Sequence, residues 1–186
     1  LIKKTAYDLT HELDTFCARK VVDYLVQNFL DHLIPLTPIV HAPSFIADVK
    51  DNRQARDLKF FFLLISVLLG TVCTLPGTFD GCKKIDKSFR FTTRKEMLEA
   101  GTSLTVQLRP PNYFDTLTLD QMACSWLLMF AHGQHGMMRR SIMYHSEVTM
   151  IIHQMELHRI DTYHGLDKIQ QQIRKKALWL NFTTER

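Results

Sequence analysis

The chain has 186 residues and a mass of 21.7 kDa; 46% are hydrophobic, 23% are charged, and the formal net charge is +4. Ample apolar content with so small a net charge excludes intrinsic disorder, and 7 Gly with 6 Pro exclude a collagen-like or loop-dominated protein. Four scattered cysteines (Cys17, Cys73, Cys82, Cys124) are too few for a small disulfide scaffold and suit a reducing compartment, while a pI of about 8.9 is by itself too weak to imply nucleic acid or an anionic membrane.

From the N-terminus, residues 11 to 33 place Leu13, Phe16, Cys17, Val21, Tyr24, Leu25, Phe29 and Leu33 on one predicted helical stripe, with Thr10 as its N-cap and Pro35 as its stop. Between Ile34 and Phe45, Pro35, Pro38 and Pro43 forbid a regular helix, so an extended segment pinned to the core is predicted. Phe60 to Leu75 runs 16 residues without a charge. A spanning helix needs about 20, so the segment reads as the buried centre of a helical domain rather than a membrane crossing. Pro76 to Phe91 reads as a loop.

Thr93 and Glu96 have capping-box spacing and open a helix whose buried face is Met97, Gly101, Leu104 and Leu108, ended by Pro110 and Pro111. Thr118 and Gln121 open a second, almost wholly apolar helix through Met122, Ala123, Trp126, Leu127, Met129 and Phe130. Gly133 to Gly136 breaks it, and Tyr144, Val148, Ile151, Ile152 and Met155 line the next. Two long helices so closely joined predict an antiparallel αα-hairpin. A last helix runs from about Asp167 to the C-terminus, with Ile169, Ile173, Ala177 and Leu180 facing inward. No alternating strand pattern occurs, and the fold class is all-α: a multi-helix bundle with a central antiparallel αα-hairpin.

The chemistry-bearing residues are sparse. Six of nine histidines fall between His132 and His164, but no H-E-x-x-H pair is present, and the four cysteines form no C-x-x-C. A nucleophile elbow and the ordinary nucleotide-binding glycine loops are also missing from the sequence. The competing enzyme reading is a helical metallohydrolase built on His132, His135, His145 and His153. A third reading is a helical protein–protein interaction scaffold. Lys83, Lys84, Lys87, Arg90, Arg94 and Lys95, interleaved with Phe89 and Phe91, could grip single-stranded nucleic acid. The alternative there is a solvated loop with both phenylalanines in the core. Methionines cluster on the hairpin, and the surface around Met129, Met150 and Met155 is the candidate ligand site, because thioether side chains adapt to varied partners.

The order of these pieces carries a resemblance. His41-Ala42-Pro43-Ser44-Phe45 lies between an amphipathic and an apolar helix, and the hairpin ends in Leu157-His158-Arg159. Arg174 and Trp179 lie on the last helix, and Arg186 closes the chain. This succession resembles the fungal-specific transcription factor domain, the middle homology region of Zn2Cys6 zinc-cluster regulators. Glu156 stands where that family has Gly, which counts against a glycine-type helix cap; Trp179 stands alone where a pair is common, and Glu185 replaces Asp.

The resemblance implies one non-catalytic, all-helical regulatory domain over residues 1–186, the N-terminal part of a longer region in a nuclear transcription factor. It implies protein partners in the transcription machinery or in the same chain, a possible small-molecule inducer and no membrane. DNA contact and zinc would belong to a separate six-cysteine module, with no cofactor in this chain.

Overall fold

The structure, a computed structural model, describes residues 8–184; Glu185 and Arg186 of the closing motif lie outside the described residues. Nine α-helices and no strand occur among the described residues, so the fold is all-α.

The first predicted helix is two. Asp8, not Thr10, caps α1 (Leu9–Phe16), its carboxylate accepting from the backbone N–H of Thr10 and His11 at 3.1 Å each. Cys17 and Ala18 are extended, α2 (Arg19–Asn28) follows, and a π-helical turn covers Phe29–Leu33. Leu9, Leu13 and Phe16 are buried on α1, and Val21, Val22, Leu25 and Val26 on α2. At about 100° per residue, a continuous helix would put these two sets on nearly opposite faces; the break lets both point inward.

The extended stretch is shorter than expected. Ile39 is buried and pins it, but α3 (Ala42–Lys50) begins at once, with Pro43 in its first turn, where a missing N–H is harmless. Phe45 lies 6.0 Å from the ring of Phe29 and 5.7 Å from that of Phe60.

The axis of the fold is α4 (Leu58–Thr74), buried on every face from Phe60 to Cys73 and packed against α2, α6 and α7. Asp57 caps it, accepting from the N–H of Lys59 and Phe60 at 3.0 and 3.2 Å. Among the described residues no single helix is long and apolar enough to cross a membrane; α4 and α5 qualify only as a pair bent by 114°. The predicted loop after α4 contains α5 (Thr78–Ile85), which buries Phe79 and Cys82. Its Gly81 lies against Tyr24 so closely that a Cβ would sit 2.1 Å from the Tyr24 hydroxyl oxygen.

Helix α6 (Arg94–Leu108) opens with Thr93 Oγ1 accepting from Glu96 N–H at 3.1 Å. The Glu96 carboxylate accepts from Thr92 N–H at 2.7 Å, one residue earlier than a strict capping box requires. Met97, Gly101 and Leu108 are buried as expected, whereas Leu104 is half-buried. A Cβ on Gly101 would lie 2.8 Å from Leu69, so glycine sets the closeness of α6 to α4.

Helices α7 (Leu119–Gln134) and α8 (Met138–Gln154) pack on one another. Ser141 Oγ donates to the Met129 carbonyl at 2.9 Å, the rings of His132 and Tyr144 lie 5.3 Å apart, and Ser125 Oγ donates to Glu147 at 2.8 Å.

Both helices end in the same cap. In α7, Met137 N–H donates to His132 O and Gly136 N–H to Gly133 O, with Gly136 at φ +69°. In α8, Leu157 N–H donates to Ile152 O and Glu156 N–H to His153 O, each at 3.0 Å, with Glu156 at φ +51°. These are Schellman motifs. The glycine-type cap that Glu156 counted against is therefore present, held by a glutamate.

Helix α9 (Lys168–Thr184) starts where Asp167 accepts from Gln170 N–H at 2.8 Å. It is seated more lightly than expected. Ala177 is buried, but Ile173 and Leu180 are half-buried and Ile169 is exposed.

Candidate functional site

Two ion-pair knots, one buried and one part-buried, tie separate elements together. Arg109, just past the end of α6, makes two hydrogen bonds to Glu147 on α8, at 2.8 and 3.3 Å, with side chains only 15% and 17% exposed. Its guanidinium also lies 4.7 Å from the Tyr113 ring centre. Burial opposes its charge, but the Glu147 carboxylate outweighs that and raises the Arg109 pKa.

A second knot forms around Arg53, which pairs with Asp48, Asp57 and Asp120 at 2.8 to 3.0 Å and lies 4.7 Å over the Phe60 ring. Burial, with Asp57 and Asp48 adding to it against the opposing Arg53 charge, pushes the Asp120 carboxyl above its usual value. Neither knot is visible in local sequence spacing, because the partners lie up to 67 positions apart.

The rings of His153 and His158 lie 5.9 Å apart, but the four candidate histidines form no metal-holding group among the described residues. Buried His132 has Nδ1 at 2.8 Å from the Leu128 carbonyl, so Nδ1 carries the proton, and Nε2 faces the Thr102 hydroxyl at 3.5 Å. Burial lowers its pKa, and burial with nearby Arg94 and Lys95 lowers that of His135. Among the described residues no group of three His, Cys, Asp or Glu side chains could hold a metal ion.

Nor do the cysteines suit a zinc cluster. All four are free and buried on separate elements, and burial pushes Cys17, Cys73 and Cys82 up to about 12 and Cys124 to about 11. Cys124 Sγ lies 2.9 Å from Ser66 Oγ inside the α4–α7 contact.

In the basic stretch the aromatic rings turn inward. Phe91 is buried, and Phe79, Phe89, Phe91 and Phe16 form a chain of ring contacts at 5.3 to 5.5 Å. Lys83 and Arg90 cover the rings of Phe79 and Phe91 at 4.5 and 4.7 Å, leaving no open stacking platform there.

Two clefts remain at the C-terminal end of α7. One, of about 420 Å³, is lined by Met129, Phe130, Ser141, Ile142 and His145, with Thr184 of α9 at its edge. Of the three candidate methionines only Met129 lines it; half-buried Met150 and Met155 pack against the core and do not. The other, of about 300 Å³, lies between α4, α7 and α9, walled by Gly70, Trp126, Leu127, Phe130 and Leu180. Phe130, Gln134 and Thr184 belong to both. Sequence reasoning placed Trp126 in the core but missed the cavity, whose walls come from distant segments.

The other motif residues that the structure describes lie outside both clefts. His41 precedes α3, its Nδ1 2.8 Å from Ser44 Oγ, and Phe45 anchors that helix in the core. Leu157 is buried beneath the α8 cap; His158 and Arg159 are exposed, and Arg159 pairs with Glu156 and Asp161 at 3.1 and 2.6 Å. On α9 Arg174 is half-buried, while Trp179 is 66% exposed and meets Phe182 edge-on at 5.9 Å.

The chain is thus an all-helical body with ion-pair knots between its elements and clefts near the C-terminal end of α7. The profile described as "Fungal specific transcription factor domain" matches residues 26–186, and the chain belongs to that family. Transcription factor yanR of Aspergillus niger is 24% identical over 188 residues; the match covers 93% of this chain and 22% of that protein, so the chain spans about a fifth of its relative's length. No solved structure matches the chain significantly.

Proposed function

We propose that this chain is a non-catalytic regulatory unit of a fungal zinc-cluster transcription factor, working in the nucleus. It sets the output of an activation region in response to a small molecule or a protein partner. The family match across residues 26–186 carries the reading. The ion pairs that tie α6 to α8 and join Arg53 to Asp120 on α7 suit a body that acts as one packed unit. DNA and zinc are assigned to a different module, and this unit binds no cofactor of its own. A helical body with two packings, one preferred by the ligand or partner, supplies the switch.

The test is a fungal reporter in which the chain is placed between a heterologous DNA-binding domain and an activation region. Output should change relative to the direct fusion, and revert when Phe62→Asp breaks the core. Equal output from all three fusions would overturn the reading.

A further inference from the structure

We propose that the outer face of α9, with the groove beside it, docks an amphipathic helix of a partner protein in which acidic residues flank an apolar stripe. The regulatory consequence rests on the reading above; the chemistry of the surface stands by itself.

The face is regular. Ile169, Gln172, Lys176, Trp179 and Thr183 follow one another at steps of 3, 4, 3 and 4 along α9, so they share one side of the helix, and all five are exposed. Ile169 is 43% exposed and Trp179 is 66% exposed, with Phe182 edge-on to the Trp179 ring and itself 45% exposed. From Ile169 to Thr183 the stripe runs about 21 Å, the length of a four-turn helix. Apolar anchors at such spacing are what a helix laid into a groove engages.

Beside the first half of the stripe lies a groove of about 410 Å³. Ile34, Pro38 and Val40 wall one side, and Ile169 and Ile173 of α9 wall the other. Pro38 fixes the backbone of the first wall, so little of it has to be ordered on docking.

Charge selects the partner. The 17 residues of α9 include Lys168, Arg174, Lys175 and Lys176 but no Asp or Glu. Lys168 and Lys176 line the groove, and no acidic side chain does. Neither lysine forms an ion pair among the described residues, and the adjoining Asp167 is engaged in capping the helix. A second copy of this chain would set lysine against lysine across a symmetric contact, which disfavours self-association. A small molecule in the groove would leave Trp179 uncovered, because that ring lies outside it. An acidic amphipathic helix answers the cations, the apolar anchors and the length of the stripe together.

The probe is a fluorescently labelled synthetic peptide of about 15 residues, with Leu at helical spacing on one face and Glu elsewhere. Its anisotropy is titrated with the 186-residue chain. Saturable 1:1 binding is expected, weakening as salt rises. The same peptide with Lys for Glu, or with Ser for Leu, should not bind. Trp179→Ala should weaken binding about thirtyfold, the scale of a buried Trp anchor. Lys168→Glu combined with Lys176→Glu should weaken it about tenfold and remove its salt dependence. All three positions are exposed, so helical circular dichroism should be unchanged.

No saturable binding, equal binding of the Lys peptide, or an affinity untouched by Trp179→Ala each overturns the assignment. Tighter Trp179-dependent binding of an oligothymidine strand, or of phosphatidylserine-containing vesicles, also overturns it and gives the face to nucleic acid or membrane. The reporter, carrying Trp179→Ala, separates the two levels. Peptide binding with reporter output unchanged by that substitution upholds the surface and refutes regulation through it. A reporter that depends on the folded domain while the peptide fails to bind refutes the surface and leaves the domain's regulatory role standing.

Discussion

Replacing Glu156 by glycine should stabilise the domain, although it deletes an ion pair. Glu156 is the C′ residue of the α8 Schellman cap at φ +51°, a conformation that costs an L-residue about 1–2 kcal/mol and glycine almost nothing. Two losses oppose the gain. Glycine loosens the unfolded chain, a penalty of about 0.4–1 kcal/mol. The Glu156–Arg159 pair is about half exposed, and Arg159 keeps Asp161 at 2.6 Å, so its removal costs little. The net gain is about 0.5 kcal/mol, or roughly 1–2 °C in Tm for a domain of this size.

Glu156→Ala separates the terms, because it removes the ion pair while keeping the β-carbon; it should leave Tm unchanged or slightly lowered. Gly136→Ala, at the matching position of α7 with φ +69° and open space around the site, should lose about 1 kcal/mol from the backbone alone. Differential scanning calorimetry reads all three. If Glu156→Gly melts at or below Glu156→Ala, the glutamate side chain rather than its backbone governs the cap, and the reasoning fails.

Other perturbations address the core. Glu147→Ala strands the Arg109 charge between α6 and α8 and should cost about 3 kcal/mol in urea unfolding; a loss under 1 kcal/mol would show the pair to be solvated. Gly101→Ala gains helix propensity but forces a methyl to 2.8 Å from Leu69, so net destabilisation of about 1 kcal/mol is expected, whereas a more stable variant would mean α6 can move away. His132 is buried with a lowered folded-state pKa, so the unfolded chain binds more protons. Stability contributed by the neutral ring is present above the usual value of 6.5 and is lost as pH falls below it. His132→Asn should flatten the slope of stability against pH between about 7 and 5, and an unchanged slope would assign the acid sensitivity elsewhere. The four buried thiols should resist a thiol reagent in the native chain and all react in denaturant; rapid native labelling of any one would contradict its burial.

Much of this architecture is legible because helices announce their faces and their ends. The apolar run from Phe60 reads correctly as a core helix, and Thr93, Thr118 and Asp167 mark real helix starts. The failures share a physical cause. The break at Cys17–Ala18 replaces one helix by two, and it leaves no proline or glycine behind to betray it. Pro43 was read as a breaker because proline in a helix's first turn looks the same in sequence as proline in a coil. Helix α5 is short, and its glycine is there for a contact with Tyr24, which the local pattern does not reveal.

The candidate site was the least legible part, and the reason lies in what the family motifs do. Phe45 is buried within α3 and Leu157 just past the α8 cap, each close in sequence to a helix end that short motifs can mark. The cavity has no such signature. Its walls come from the Leu33–Thr37 segment and from α4, α7 and α9, with Leu36, Gly70, Trp126 and Leu180 among them, and no local spacing links those positions. Of the three methionines that composition nominates, Met129 lines a cleft, while Met150 and Met155, on α8 and at its end, do not reach it. Composition on a helix face can nominate a surface. Only the end of α9, which brings Leu180 and Thr184 beside Trp126 and Phe130, turns that surface into a cleft, and α9 is the helix whose inward face the sequence overestimated.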